Sequence, residues 1–331
     1  MVRLPSGAGT YLAHYYNEHD QQESAKLGGM LAVVGERGVL SAVRSRRSEV
    51  IVEEKELSTP YGAVAYRVRA GEDGRVVVLL HGRAADASQW DDVLSFLDAS
   101  STVVTVDLPC HGASRAYEGF LYDRTADHVA DIMRRELSMA AFVVGHSVGG
   151  SIAQVLAARH PELVAGLLIA DAAPVRREAY SSFDRFALKR SASSLLVYEE
   201  RSVRGLAGGM AKELTATTVG RERLHEVFAR STALELCHLV SIADGGLMRF
   251  LERLDEPLSV ACPLSLVCGS RDKLNKIARS MRAWASQANV PLRMLEGCGH
   301  FCMLDDPRAF ASLIEACLSS ASRSLATEHA S

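Results

Sequence analysis

A chain of 331 residues with 48% hydrophobic and 23% charged side chains is long enough for a large α/β core with a further segment inserted in it. Its 37 basic and 40 acidic residues are dispersed to a formal net charge of −3, too weak a field to select nucleic acid or an anionic membrane. A small-molecule or acyl substrate is therefore the default partner.

Residues 1–48 fit neither a strand nor a helix pattern and end in the basic stretch Arg44-Ser45-Arg46-Arg47. Glu18, Asp20 and Glu23 weigh against a transit peptide, which leaves organelle targeting and a helical or disordered arm both open. From Glu49 the pattern changes. Val50 and Val52, then Ala63, Ala65, Tyr66 and Val68, flank the turn Thr59-Pro60-Tyr61-Gly62 as in a hairpin.

Short apolar, β-branched runs follow, Val76 to Leu80, Val103 to Val106, Phe142 to Val144, Leu167 to Ala170 and Leu264 to Val267, with Leu292 to Leu295 expected as the last strand. Helical patterns separate them, over Ser88 to Leu97, Thr125 to Leu137, Val148 to Arg159, Lys276 to Gln287 and Pro307 to Leu318. Continuous apolar strands alternating with helices predict an α/β fold, a mostly parallel doubly wound sheet covered on both faces. Ligands bind such sheets beyond the carboxyl ends of the strands.

Residues 175–256 break the alternation, with helical apolar spacing at Phe183, Phe186, Leu195 and Leu196, and at Leu234, Leu239, Leu247, Phe250 and Leu251. They are expected to form an inserted helical lid with its apolar face toward the substrate. The core then comprises 49–174 and 257–320, and 321–331 is a tail.

Gly145-His146-Ser147-Val148-Gly149 matches Gly-x-Ser-x-Gly, a pattern that chance produces in roughly one chain in ten of this length. Context makes it informative: an apolar strand ends at Val144 and an alanine-rich helix runs to Arg159. That is the strand-turn-helix setting of a nucleophilic serine, glycines leaving room for the tight turn. Ser147 would stand at a helix N-terminus, where N–H groups favour developing negative charge.

A serine hydroxyl needs a base to take its proton as it attacks. His300, in the glycine-flanked loop Gly297-Cys298-Gly299-His300-Phe301, fits best. His81 ends a strand, His146 belongs to the turn, and His160 closes a helix. An acid must orient the base, and Asp272 in Cys268-Gly269-Ser270-Arg271-Asp272 follows a strand at the expected point of the chain. Asp171, directly after Ala170, is the rival.

The oxyanion hole falls to the backbone N–H groups of Val148 and Arg83. The Arg83 guanidinium is expected to point to solvent or to meet an anionic substrate group, and Trp90 to pack the first helix or to line the pocket. The seven cysteines lack disulfide or zinc spacing, and Cys298 and Cys302 around His300 lack a fourth ligand, so no metal and no cofactor are expected. No apolar run reaches the roughly 18 to 20 residues of a membrane span and no signal pattern opens the chain; a soluble cytoplasmic protein is expected, organelle targeting by the extension aside.

Leu79-Leu80-His81-Gly82, Val106-Asp107-Leu108-Pro109-Cys110-His111-Gly112-Ala113-Ser114, Gly145-His146-Ser147-Val148-Gly149-Gly150, Gly269-Ser270-Arg271-Asp272 and Gly297-Cys298-Gly299-His300-Phe301 together resemble the signature blocks of the α/β-hydrolase superfamily. The resemblance runs from Thr59 to Leu318 and is to the serine-nucleophile branch with a helical lid, carboxylesterase-like. Two positions depart from the pattern: Cys110 stands where the family has glycine, and Cys302 where proline is frequent. Both are expected to be packing changes. The resemblance implies hydrolysis of a carboxylic ester through an acyl-enzyme. A carbon–carbon bond hydrolase or lyase using the same triad, and a non-catalytic small-molecule receptor, are the alternatives.

Overall fold

The computed structural model describes residues 52–193, 208–274 and 277–328. The extension 1–48, Val50, Leu195 and Leu196 lie outside the described residues, as does the end of the tail. The hairpin forms from β1 (Val52–Thr59) and β2 (Gly62–Arg69), Thr59 opposite Gly62. Gly62 turns the chain at φ +126°, and a Cβ there would meet the Tyr117 backbone at 2.9 Å.

The other strands are β3 (Val76–Leu80), β4 (Thr102–Val106), β5 (Ala141–His146), β6 (Val164–Ala170), β7 (Leu264–Gly269) and β8 (Leu292–Leu295). They form one sheet in the order β1-β2-β4-β3-β5-β6-β7-β8. β2 runs antiparallel to both its neighbours, and every pair from β4 to β8 is parallel. The apolar runs are continuous because both faces are covered: Val78 and Leu80 enter one buried cluster, Val77 and Leu79 the other, the two-residue alternation of a strand. The chain places β4 on one side of β3 and β5 on the other, and that reversal opens a crevice at the carboxyl ends.

Helices α1 (Tyr122–Glu136), α2 (Val148–Arg159) and α6 (Ile277–Ala288) bury their apolar residues in the first cluster. The final helix α7 (Pro307–Glu328) covers the other with Phe310, Ile314 and Leu318, and runs beyond the expected end at Leu318. The helix expected from Ser88 to Leu97 is instead a 3₁₀ turn, Ala87–Trp90, followed by one α-turn, Asp91–Leu94. Arg67 and Arg69 of β2 explain the difference, since they take the carbonyls of Ala87, Leu94 and Asp98.

Between β6 and β7 lie α3 (Ser182–Ser193), a helical stretch at 208–214, α4 (Thr218–Phe228) and α5 (Ala233–Arg253). Thr217 caps α4 through the Gly220 N–H, and Thr232 with Glu235 forms a capping box on α5, each supplying acceptors to otherwise unpaired N–H groups. The expected inward apolar face divides. Leu239, Leu247, Phe250 and Leu251 are buried, whereas Phe183, Phe186 and Leu234 are 73%, 61% and 60% exposed. No helix among the described residues is long and apolar enough to cross a membrane.

Candidate active site

Ser147 is the only residue between β5 and α2, so the chain must reverse within it. It does so at φ +50°, ψ −114°, a region that costs a non-glycine residue roughly 1 to 3 kcal/mol and persists only where its surroundings impose it. They do here. A Cβ at Gly145 would lie 2.4 Å from the Gly149 carbonyl oxygen, and one at Gly149 would lie 2.3 Å from that of Leu80. The Ser147 N–H donates to the Ala170 carbonyl at 2.9 Å, and its own carbonyl accepts from the Ser151 N–H at 3.0 Å.

Ser147 Oγ is 3.1 Å from His300 Nε2, and His300 Nδ1 is 3.0 Å from Asp272 Oδ2. The imidazole and the Asp272 carboxylate are 3% and 0% exposed. Asp272 is aimed by its second oxygen, which accepts from the Leu274 N–H at 2.8 Å. A carboxylate facing Nδ1 assigns the ring proton there, leaving Nε2 to accept from the serine hydroxyl.

The His300 loop is held from two sides. His146 Nε2 donates to the His300 carbonyl at 2.9 Å; burial, and then the neighbouring His300, drives its pKa well below the ordinary histidine range, so it is a neutral donor. Asp305 accepts from the N–H groups of Gly299 at 2.7 Å, Ala216 at 2.9 Å and Thr217 at 2.8 Å, joining this loop to the inserted segment. Neither role is visible in the sequence. A half-buried aspartate five residues past the histidine of a glycine-flanked loop carries no local signal of its partners.

The N–H groups of Val148 and Arg83 have no protein acceptor among the described residues, and that of Val148 opens α2. Next to Arg83, the Gly82 N–H is occupied by Gln89 Oε1 at 3.1 Å and Ala84 adopts φ +61°. The Arg83 guanidinium goes neither to solvent nor to an open subsite: Nη1 pairs with Asp244 Oδ1 of α5 at 2.6 Å. Trp90 is fully buried against Phe310, so it packs rather than lines a pocket.

Asp171 directly follows β6 but makes no hydrogen bond to His300. Its Oδ1 accepts from the Gly269 N–H at 2.9 Å and its Oδ2 from the Cys302 thiol at 3.0 Å. Burial, offset by His300 and reinforced by the Asp272 charge, pushes its carboxyl up to about 7. Cys302 is thus more than a packing change. Cys110 is likewise more: it adopts φ +70°, the region where glycine is at ease, and its thiol bonds the Tyr117 carbonyl at 3.3 Å.

Asp171, Asp272 and His300 bring candidate ligand atoms within 4.8 Å of one another, yet both His300 ring nitrogens already serve Asp272 and Ser147. Cys298 is not among the residues that bring ligand atoms together there; its thiol is pushed up to about 12 by burial and then by Asp305 and Asp306. A cavity of about 250 Å³ lies between the 110–119 loop and α5, lined by Cys110, Tyr117, His238, Leu239 and Ile242 among others. None of the three hydrogen-bonded side chains lines it, so the chemistry is placed by the side-chain relay rather than by the cavity.

A family model described as the alpha/beta hydrolase family matches residues 77–313. A pimeloyl-[acyl-carrier protein] methyl ester esterase from Chromobacterium violaceum is 32% identical over 208 residues, 62% of this chain and 78% of that protein. Human monoacylglycerol lipase ABHD6 is 25% identical over 270 residues, 76% of this chain and 77% of that one. Among solved structures, a thermophilic esterase from Thermogutta terrifontis superimposes with a TM-score of 0.63 at 19% identity, covering 81% of this chain and 99% of its own. A hydrolase from Pseudomonas aeruginosa gives 0.66 at 19%, covering 80% and 97%.

Proposed function

This chain belongs to the alpha/beta hydrolase family, and from that premise we propose that it is a serine hydrolase that cleaves a small carboxylic ester through an acyl-enzyme, with Ser147, His300 and Asp272 as its triad. The observation that carries the reading is the continuous relay from Ser147 Oγ to His300 Nε2 at 3.1 Å and from His300 Nδ1 to Asp272 at 3.0 Å. Ser147 attacks the ester carbonyl as His300 takes its proton. Asp272 keeps the imidazole in the productive tautomer and stabilises the imidazolium.

The tetrahedral oxyanion is received by the N–H groups of Val148 and Arg83, each worth roughly 2.7 to 4 kcal/mol of transition-state stabilisation. His300 returns the proton to the leaving alcohol, and water releases the acid by the same steps. Residues 175–256 act as the lid, joined to the oxyanion loop by the Arg83–Asp244 pair. The named activities of the relatives, cleavage of a methyl ester and of a monoacylglycerol, support an ester over a carbon–carbon bond.

The test is labelling by a fluorophosphonate, with turnover of p-nitrophenyl butyrate beside it. The wild type is expected to be labelled, and Ser147→Ala to lose both labelling and at least about 10⁴-fold in kcat/KM. Equal labelling of both proteins overturns the assignment.

A further inference from the structure

One buried carboxyl in the site has no part in this mechanism. Asp171 directly follows β6, and the loop carrying Asp272 follows β7, the adjacent strand. Both carboxyls therefore emerge side by side near His300, with atoms of all three residues within 4.8 Å of one another. Asp171 is fully buried and aimed: the Gly269 N–H holds one oxygen and the Cys302 thiol the other. Its backbone sits at φ +45°, fixed by an N–H donated to the Val267 carbonyl at 3.0 Å. Packing alone would place an apolar side chain here, because a buried carboxyl costs several kcal/mol unless something nearby uses its charge.

Resting on the triad read above, we propose that Asp171 is a second acid of the site, a positioning residue that backs Asp272 in holding His300 and its imidazolium. Two carboxylates this close cannot both ionise cheaply in a dry interior, so they divide one negative charge. Asp272 is the one of the two in hydrogen-bond contact with His300 Nδ1. Asp171 is kept protonated toward neutrality, its affinity pushed up to about 7 by burial and by the Asp272 charge and pulled down by His300. The other titratable groups facing it are the thiols of Cys268 and Cys302, with Cys298 beyond. All are raised by burial and then by acidic neighbours, Asp171 among them, so they stay protonated and leave His300 and Asp272 as the charges that matter.

The sign of the response follows. Neutralising Asp272 removes the charge that keeps Asp171 protonated, so Asp171 ionises at lower pH and is available to steady His300. Asp272→Asn is therefore expected to lose only about ten- to a hundred-fold in kcat with p-nitrophenyl butyrate, and Asp171→Asn no more than about fivefold. The double variant should fall by about 10⁴-fold, as for a triad without a usable acid, far beyond the product of the single losses. KM should stay within about twofold throughout, since Asp171 acts through His300. The His300 charge lowers the affinity of Asp171 for its proton, so Asp171 ionises as the imidazolium forms and steadies it; Asp171→Asn removes that response, and the acid limb of the kcat/KM profile should move about half a pH unit lower.

A buried group that only packs would move neither the coupling nor the limb. The inference is overturned if the double variant equals Asp272→Asn within about threefold and the Asp171→Asn profile overlays the wild type. If Ser147→Ala turns over like the wild type, the triad assignment fails instead. Cooperative melting checks each fold, and Asp272→Ala replaces Asp272→Asn throughout if the latter does not melt cooperatively.

Discussion

Along β5 every side chain is buried, and along α2 the burial continues without a break from Gly149 to Ala157; in α3, at the start of the inserted segment, Phe183 and Phe186 stand 73% and 61% exposed. The elbow between β5 and α2 is imposed by backbone against backbone, at Gly145 against Gly149 and at Gly149 against Leu80. The inserted segment is held by separate polar clamps. Arg177 takes the carbonyls of Leu251 and Glu252 at 2.7 and 2.6 Å, Asp244 takes Arg83, and Asp305 takes the 216–217 backbone. Where Ser147 is displayed, geometry is over-determined and strain can be stored. In the inserted segment these polar bonds stand beside the apolar packing of Leu224, Phe228, Leu247 and Phe250, and each can be changed one at a time.

This contrast can be broken by substitution. The largest effect is expected at Gly149→Ala, because the colliding atoms are main-chain and cannot swing away. We expect a stability loss of about 4 kcal/mol or more in urea unfolding, with fluorophosphonate labelling abolished; a loss under about 1 kcal/mol would show that the elbow has room to spare. Asp244→Asn comes next. It leaves the mostly buried Arg83 without its counter-charge, at a cost of about 2 kcal/mol, and should lower kcat about tenfold with little change in KM, since the Arg83 N–H is the proposed oxyanion donor. Unchanged kcat would separate the inserted segment from the oxyanion loop. The smallest effect belongs to Phe183→Ser combined with Phe186→Ser, which should leave unfolding within about 0.5 kcal/mol of the wild type; a larger loss would mean that α3 is part of the core.

Much of this was legible in the chain. The apolar run Val76 to Leu80 is a strand with those limits, because a strand buried on both faces needs no polar residue; Leu292 to Leu295 also forms where expected, with Arg293 exposed on the edge strand. Ser147 and His300 stood out because glycine flanks them where the backbone has to turn sharply. Asp272 and Asp171 could not be separated with the same clarity, since each follows a strand of the same sheet and the deciding fact is which oxygen faces Nδ1. His146 and Asp305 were missed because their partners lie 154 and 89 residues away. The Arg83 guanidinium was misjudged for the same reason, its partner being 161 residues distant.

The sequence by itself determined the order of strands and helices, the tight turn at Ser147 and the residue types available for the chemistry, all of which follow from hydrophobic period and from the few residues that permit sharp turns. Tertiary structure alone decided which acid touches His300, where the Arg83 charge is spent, and that Asp171 and Asp272 share one buried pocket. Those are questions of distance between strand ends. Distance between strand ends is set by the order of strands in the sheet, which the local pattern does not encode.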